Sequence, residues 1–302
     1  MMLAVSTGLA ELANRWLTLP GYFGANAGLK VTALVAGMLA GADSIDDMAL
    51  LRHGGIKKLF VGTYAPSTLG SFLRSFTFGH VRQLGAVARR WLFNVAWVAP
   101  IVAGLDENAL VDIDDTIKEV HGYQKQGSGY GYSGVWGLNA LIGIVSTTAS
   151  APVIIGARLR EGAAGSPRGA GKFVADILAT VTRLRSATAA GLVLLRADSA
   201  FSGHAVVATV HRAGAKVSIT ARIDPAVKRA IATIPDYTWT KIDYTDAIRD
   251  EVTSTWISSA EVAEVPFTAF SSRQISERIE GRLVVRRLPE LNPFEGAPYV
   301  SG

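Results

Sequence analysis

The sequence predicts an α/β protein: a mixed sheet flanked by helices, preceded by a helical domain and followed by a small antiparallel β unit. Three observations carry that expectation. Apolar residues recur at helical spacing up to about residue 107. Two apolar strands, Leu110–Thr116 and Leu192–Asp198, then end in aspartates. After Asp224-Pro225 the pattern breaks into short β-like runs. The implied domains are 1–107, 108–223 and 224–291, with an irregular tail at 292–302.

In the first part, Leu29–Leu39 reads as an apolar helix. Asp43 or Ser44 caps the next, with Ile45, Met48, Leu50 and Leu51 as its apolar set, and Gly54-Gly55 stops it. Pro66-Ser67-Thr68 starts a short helix ending near Phe76. A longer one follows, with Val81, Leu84, Ala88, Trp91, Leu92 and Val95 on one face. Lys57, Lys58, Arg74, Arg82, Arg89 and Arg90 lie in this part, either as a DNA-facing set or as solvated charge on a packing domain. From Leu110 the order is strand, a polar Gly- and Tyr-rich loop (121–137), a strand at Leu138–Ser146, and a strand at Pro152–Leu159. A Gly/Ser/Pro linker, 162–171, leads to a helix through Phe173, Val174, Ile177, Leu178, Val181 and Leu184. Leu192–Asp198, a helix around Val206, Val207 and Val210, and a strand at Ala215–Ala221 complete the series. Three sequential strands followed by alternating helix and strand predict a mixed sheet with helices on its faces. An RNase H-like core has this order, and in it the strand of Asp114 lies beside that of Asp198. Later, 237–244, 252–257, 262–270 and 282–288 read as short antiparallel strands.

Composition narrows the chemistry. The 302 residues are 49% apolar and carry a net charge of +5, a mild signal for an anionic partner. Between Arg158 and Arg229, twelve Lys/Arg face four Asp/Glu; a solvated basic face explains this equally well. There is no cysteine, which excludes disulfides, thiolate zinc and a cysteine nucleophile and fits the cytosol. No signal peptide is expected, since Glu11 and Arg15 interrupt the first apolar stretch. The apolar window Val31–Ala40 is too short to span a bilayer, so no membrane partner is expected.

Two phosphate-binding patterns fail on context. Gly129–Gly134 matches G-x-G-x-x-G but follows a loop and precedes a strand, the reverse of what a dinucleotide site needs. Gly165–Lys172 precedes a helix, but Phe173 stands where a phosphate loop needs Ser or Thr. Arg168 and Lys172 near that helix start remain candidates for a phosphate contact. The aspartates are the stronger feature. Buried charge is costly unless it is paired or binds a metal. Metal-assisted phosphodiester cleavage uses carboxylates that clamp two cations, and oxygen donors at sheet ends suit Mg²⁺. The plain alternatives are that Asp198 caps a helix and that Asp112 and Asp115 are solvated. Val111–Ile117 also looks like the D-x-D-x-T motif of haloacid-dehalogenase-type phosphatases, with Asp112 as nucleophile and Asp114 as acid/base. The later Lys and acidic pair of those enzymes have no match here.

From about Ala25 to Asn292 the chain resembles insertion-sequence transposases of the DDE type. The resemblance rests on Ala40-Gly41-Ala42-Asp43-Ser44-Ile45-Asp46-Asp47, Asp112-Ile113-Asp114-Asp115-Thr116 and His121-Gly122-Tyr123-Gln124-Lys125. It rests also on Gly165-Ser166-Pro167-Arg168-Gly169 and Arg196-Ala197-Asp198-Ser199-Ala200-Phe201. It implies a DNA-binding helical region, an RNase H-like core with a β-rich insertion, and Mg²⁺ (or Mn²⁺) held by catalytic Asp114 and Asp198. Asp112 and Thr116 are then auxiliary, and Asp115 occupies the unspecified position of the motif. Lys125, Arg168, Lys172, Arg196 and Arg222 are guessed phosphate contacts. The implied reaction is hydrolysis at the transposon ends followed by strand transfer into target DNA. The partners are double-stranded DNA (terminal repeats and target) and a second copy in a synaptic homodimer, in the bacterial cytoplasm. The family's third carboxylate, a Glu on a helix after the insertion, finds no match. Phe270–Glu277 mimics its motif but reads as a hairpin connection. The expectation is therefore a C-terminally truncated, impaired enzyme. A DNA-binding remnant without catalysis is the third reading.

Overall fold

A computed structural model describes residues 1–53, 63–121, 125–249 and 256–288. Lys57, Lys58, Gly54-Gly55, 122–124, 252–255 and the tail from 289 lie outside the described residues. The chain divides into two compact units: 1–197 with 209–218, and 198–208 with 219–302.

The first unit begins with helices α1 (Met2–Ser6), α2 (Leu9–Trp16) and α3 (Ala27–Leu39), then α4 (Pro66–Arg74) and α5 (Phe78–Val98). Leu9, Ala13, Val31, Leu34, Met48, Leu69, Phe72 and Val87 form their shared core. Asp46–Arg52 is a 3-10 turn rather than the expected α-helix. Its start is tied by Asp47 Oδ2, which accepts from the Ser44 backbone at 2.9 Å and its hydroxyl at 2.8 Å. Proline at the first turn starts α4, where its missing N–H costs nothing. The α5 stripe is shifted from the expected one. Val87 and Val95 are buried while Ala88 is exposed, because Trp91 turns inward to donate to the Thr7 hydroxyl at 2.7 Å.

The sheet of this unit contains β1 (Ala109–Glu119), β2 (Gly129–Tyr130), β3 (Trp136–Ser146), β4 (Val153–Arg160), β5 (Val193–Ala197) and β6 (Lys216–Ile219). Its order is β4-β3-β1-β5-β6, with the short β2 also on β3. β1 and β3 are antiparallel, as are β3 and β4, while β1 and β5 are parallel. That mixed sheet has the strand order of an RNase H-like core, and the Asp-bearing strands are neighbours as expected. Helix α6 (Ala170–Leu184) packs Phe173, Val174, Ile177 and Val181 toward β3 and β4, and α5 also meets β4. The close approach of α6 depends on glycine: a Cβ on Gly156 would lie 2.8 Å from Ile177 Cγ2.

The second unit has its own core. Helix α7 (His204–Arg212) follows β5 in the chain. Helix α8 (Pro225–Ala232) places Val227 and Ile231 with Ile234, Ala263 and Val285 on a three-stranded antiparallel sheet. Its strands are β7 (Thr240–Arg249), β8 (Trp256–Ala269) and β9 (Ile279–Arg287). The sequence reading placed a chain break at Asp224-Pro225 and missed α8. The same pair is a helix start: Asp224 Oδ1 accepts from Ala226 N at 2.8 Å and Val227 N at 2.9 Å, with proline next. The runs 252–257 and 262–270 were expected as separate strands. In the described part, 256 onward belongs to the single long β8.

Candidate active site

Strand β1 positions the candidate residues by parity. Successive side chains point to opposite faces. Val111 and Ile113 are buried on one face with Asp115 following them, while Asp112, Asp114 and Thr116 share the other, more exposed face. The register of β1 beside β5 is locked at the strand entrances. Asn108 Oδ1 accepts from Leu192 N at 3.0 Å, Ala109 N donates to Leu192 O at 2.8 Å, and Arg185 Nη2 donates to Gly191 O at 2.6 Å. The Ser186 backbone N–H, at 2.8 Å, holds the Asp106 carboxyl below its usual range. The pairing then runs from Ala109 opposite Val193 to Asp112 opposite Arg196.

The three aspartates of β1 have three different fates. Asp112 forms a bidentate ion pair with Arg196, Oδ1 to Nε at 2.7 Å and Oδ2 to Nη2 at 2.8 Å. That hydrogen bond, with the attraction of the carboxylate, raises the Arg196 pKa above its ordinary value. Asp115 is not solvated. It accepts from Asn139 Nδ2 and from Arg160 Nη2, the latter at 3.0 Å, and Arg160 is 8% exposed. Arg160 spends its remaining donors on Asn139 Oδ1 and on the carbonyls of Gly165, Ser166 and Arg168. Burial lowers its pKa, and Asp115 partly restores it. The linker before α6 is thus pinned, where the sequence suggested flexibility. Asp114 differs from both. It is exposed, its Oδ1 accepts from Asp115 N at 2.7 Å, and no cation pairs with it among the described residues.

In the second unit, Asp198 caps the 3-10 turn Ser199–Phe201, accepting from Ala200 N at 3.0 Å, and Phe201 is buried. Asp198 thus occupies the N-cap position of that turn. Glu277 lies in the β8–β9 connection and pairs with Arg273 at 3.2 Å, in keeping with a hairpin link. His204 Nε2 donates to the Glu277 carbonyl at 3.1 Å, and its ring meets Phe270 edge-on.

The guessed phosphate contacts are scattered in state. Arg168 pairs with Glu161 at 2.8 Å, Arg196 with Asp112, and exposed Lys125, Lys172 and Arg222 have no side-chain partner among the described residues. Among the described residues no three His, Asp or Glu side chains converge as a complete metal site. The donor chemistry at Asp114, an exposed carboxylate without a counter-cation, fits one ligand of a hard divalent ion. The sequence reading missed Asn139 and Arg160. Their signal was available: each is a polar residue in or at the end of an apolar strand, and Asp115 has the parity of Val111 and Ile113. No helix among the described residues is long and apolar enough to cross a membrane.

Among solved structures, the crystal structure of the Mos1 strand transfer complex is similar at 10% identity, with a TM-score of 0.24. The match covers 67% of this chain and 63% of that one. No curated protein sequence matches. The family described as transposase DDE domain group 1 matches residues 21–287, a span that takes in β1, β5 and the second unit's sheet, and the chain belongs to that family.

Proposed function

We propose that this chain is an insertion-sequence transposase that hydrolyses DNA phosphodiesters at transposon ends and joins the freed 3′-hydroxyl to target DNA. The observation that carries the reading is the separation of roles on β1 within a family match of this length. Of the three aspartates on β1, two are neutralised by arginine, and Asp114, on the exposed face, has no ion-pair partner among the described residues. We assign Asp114 and Asp198 as the ligands of Mg²⁺ or Mn²⁺. The register supports the assignment: β1 and β5 pair up to Asp112 opposite Arg196, and each aspartate follows the last residue of that pairing by two.

When bound, the divalent ion would activate the attacking oxygen and stabilise the leaving one. The first step adds water to phosphorus and breaks the P–O3′ bond. The second forms a new P–O3′ bond to target DNA and releases the target strand's own 3′-oxygen. Neither step needs a covalent enzyme intermediate. Arg196 keeps Asp112 oriented and engaged, so Asp112 serves as support for the strand end. Its occupied oxygens also argue against the phosphatase reading, where Asp112 must attack phosphorus. Thr116 shares the Asp114 face. Lys125, Arg168, Lys172, Arg196 and Arg222 are assigned to phosphate contacts along the DNA. Two ends must be joined, which supports a synaptic homodimer, and we assign the reaction to the bacterial cytoplasm.

The test is Mg²⁺-dependent cleavage of a duplex carrying the terminal repeat, with Asp114→Ala and Asp198→Ala beside it and a phosphomonoester as second substrate. Cleavage lost in both variants is the expected result. Binding without cleavage in the parent means that the third carboxylate must be supplied from outside these residues. Phosphomonoester turnover that depends on Asp112 sinks the proposal.

A further inference from the structure

A second basic site lies away from β1, within the first unit. Between α5 and the β4–α6 surface runs a cleft of about 50 Å³, lined by Arg82, Gly85, Arg89, Arg158, Phe173 and Asp176 among others. That exceeds the ~10–15 Å³ that a single water needs by the same measure. Three guanidinium groups meet one carboxylate here. Asp176 takes Arg158 Nη2 in a close hydrogen bond and lies 3.9 Å from Arg89 Nη1. Arg158 also stacks over Phe173 at 5.2 Å and has a side chain only 9% exposed, so it is fixed in place. Arg82 is exposed and has no ion-pair partner among the described residues. The cluster therefore holds two positive charges more than Asp176 can balance. Burial lowers the Arg158 pKa most, Arg82 and Arg89 lower it further, and Asp176 opposes them.

Like charges gathered around a cleft repel one another until an anion enters. Arginine's fork of donors matches the oxygens of phosphate. We propose that this cleft binds one phosphate group of the DNA backbone, through Arg82 and Arg89 with Arg158 as the fixed wall. The inference rests on the DNA reading above and adds a contact surface on α5. A backbone phosphate there positions the duplex without reading its sequence.

The experiment uses the full chain and a short fluorescein-labelled duplex of mixed sequence, with Kd measured across salt concentrations. The variants are Arg82→Gln, Arg82→Lys and Arg89→Gln, each checked by thermal unfolding. The expected result is that Arg82→Gln lowers the slope of log Kd against log salt by about one. Equivalently, the ratio of Kd between about 200 and about 50 mM salt falls by about fourfold. Arg82→Lys, which keeps the charge, retains the parent slope, and Arg89→Gln behaves like Arg82→Gln. Parent-like slopes in both Gln variants, with DNA binding intact, overturn the cleft inference and leave the transposase reading standing. No DNA binding by the folded parent overturns that reading instead. In a further arm, inorganic phosphate is titrated against the parent and Arg82→Gln with unfolding temperature as readout. Stabilisation of the parent alone, with unchanged DNA slopes, assigns the cleft to free phosphate and also overturns the proposal.

Discussion

Arg160 carries a charge into a place that is almost closed to solvent, and it does so with every donor employed. Its partners are Asp115, Asn139 and three carbonyls of the linker before α6. Removing one member of a buried ion pair strands the other, which costs about 3–5 kcal/mol. Arg160→Met should therefore lower unfolding free energy by about that amount in urea titration. Asp115→Asn, which keeps a hydrogen-bond acceptor for Asn139, should cost less. The double variant should be less damaged than the two losses added together, because no unpaired charge remains. Strict additivity would show that the two side chains do not interact. By contrast the Asp112–Arg196 pair is half-exposed, so its loss should be worth only about 0–1 kcal/mol in stability. Its value lies in what it prevents Asp112 from doing.

At the scale of elements, the sheet's packing depends on how near α6 can lie. Gly143 and Gly156 face Ile177 and Phe173, and added Cβ atoms there would stand 3.1 and 2.8 Å from Ile177. Gly156→Val should overpack this contact and cost about 1–3 kcal/mol, read as a lower midpoint in urea with an unchanged slope. An unaffected midpoint would mean that α6 shifts freely. Long periodic elements were legible from sequence because burial repeats along them: α3, α6 and the strands of the sheet follow their apolar patterns. The misses have physical causes. Asp224-Pro225 punctuates a chain whether it ends one segment or begins a helix, and only the hydrogen bonds to Ala226 and Val227 decide. The residues around Asp47 close a 3-10 turn through side-chain bonds that apolar spacing does not encode. At the candidate site the aspartates themselves were visible, but their partners lie far along the chain: Asp112 and Arg196 are 84 residues apart. Nothing local to β1 announces which carboxylate is left unpaired.

For the whole molecule, two separate cores imply two cooperative blocks. In the first unit the N-terminal helices bury one cluster, and in the second α8 and β7–β9 bury another. Their boundaries interleave, since 198–208 and 209–218 belong to different units. Calorimetry should give a measured enthalpy larger than the van't Hoff value, the mark of unfolding that is not all-or-none. Equal enthalpies in a single transition would show the blocks to be one. The arginine pairing on β1 has a further consequence for how a polyanion meets this surface. Three bare carboxylates on one strand end would repel a phosphate backbone, each by up to about 4 kcal/mol at contact distance near a protein surface. With Asp112 and Asp115 already balanced, Asp114 is the β1 aspartate without an ion-pair partner among the described residues, in a chain whose net charge is +5. Under the proposed reading, the strand can thus offer Asp114 to a metal and still admit a negatively charged substrate.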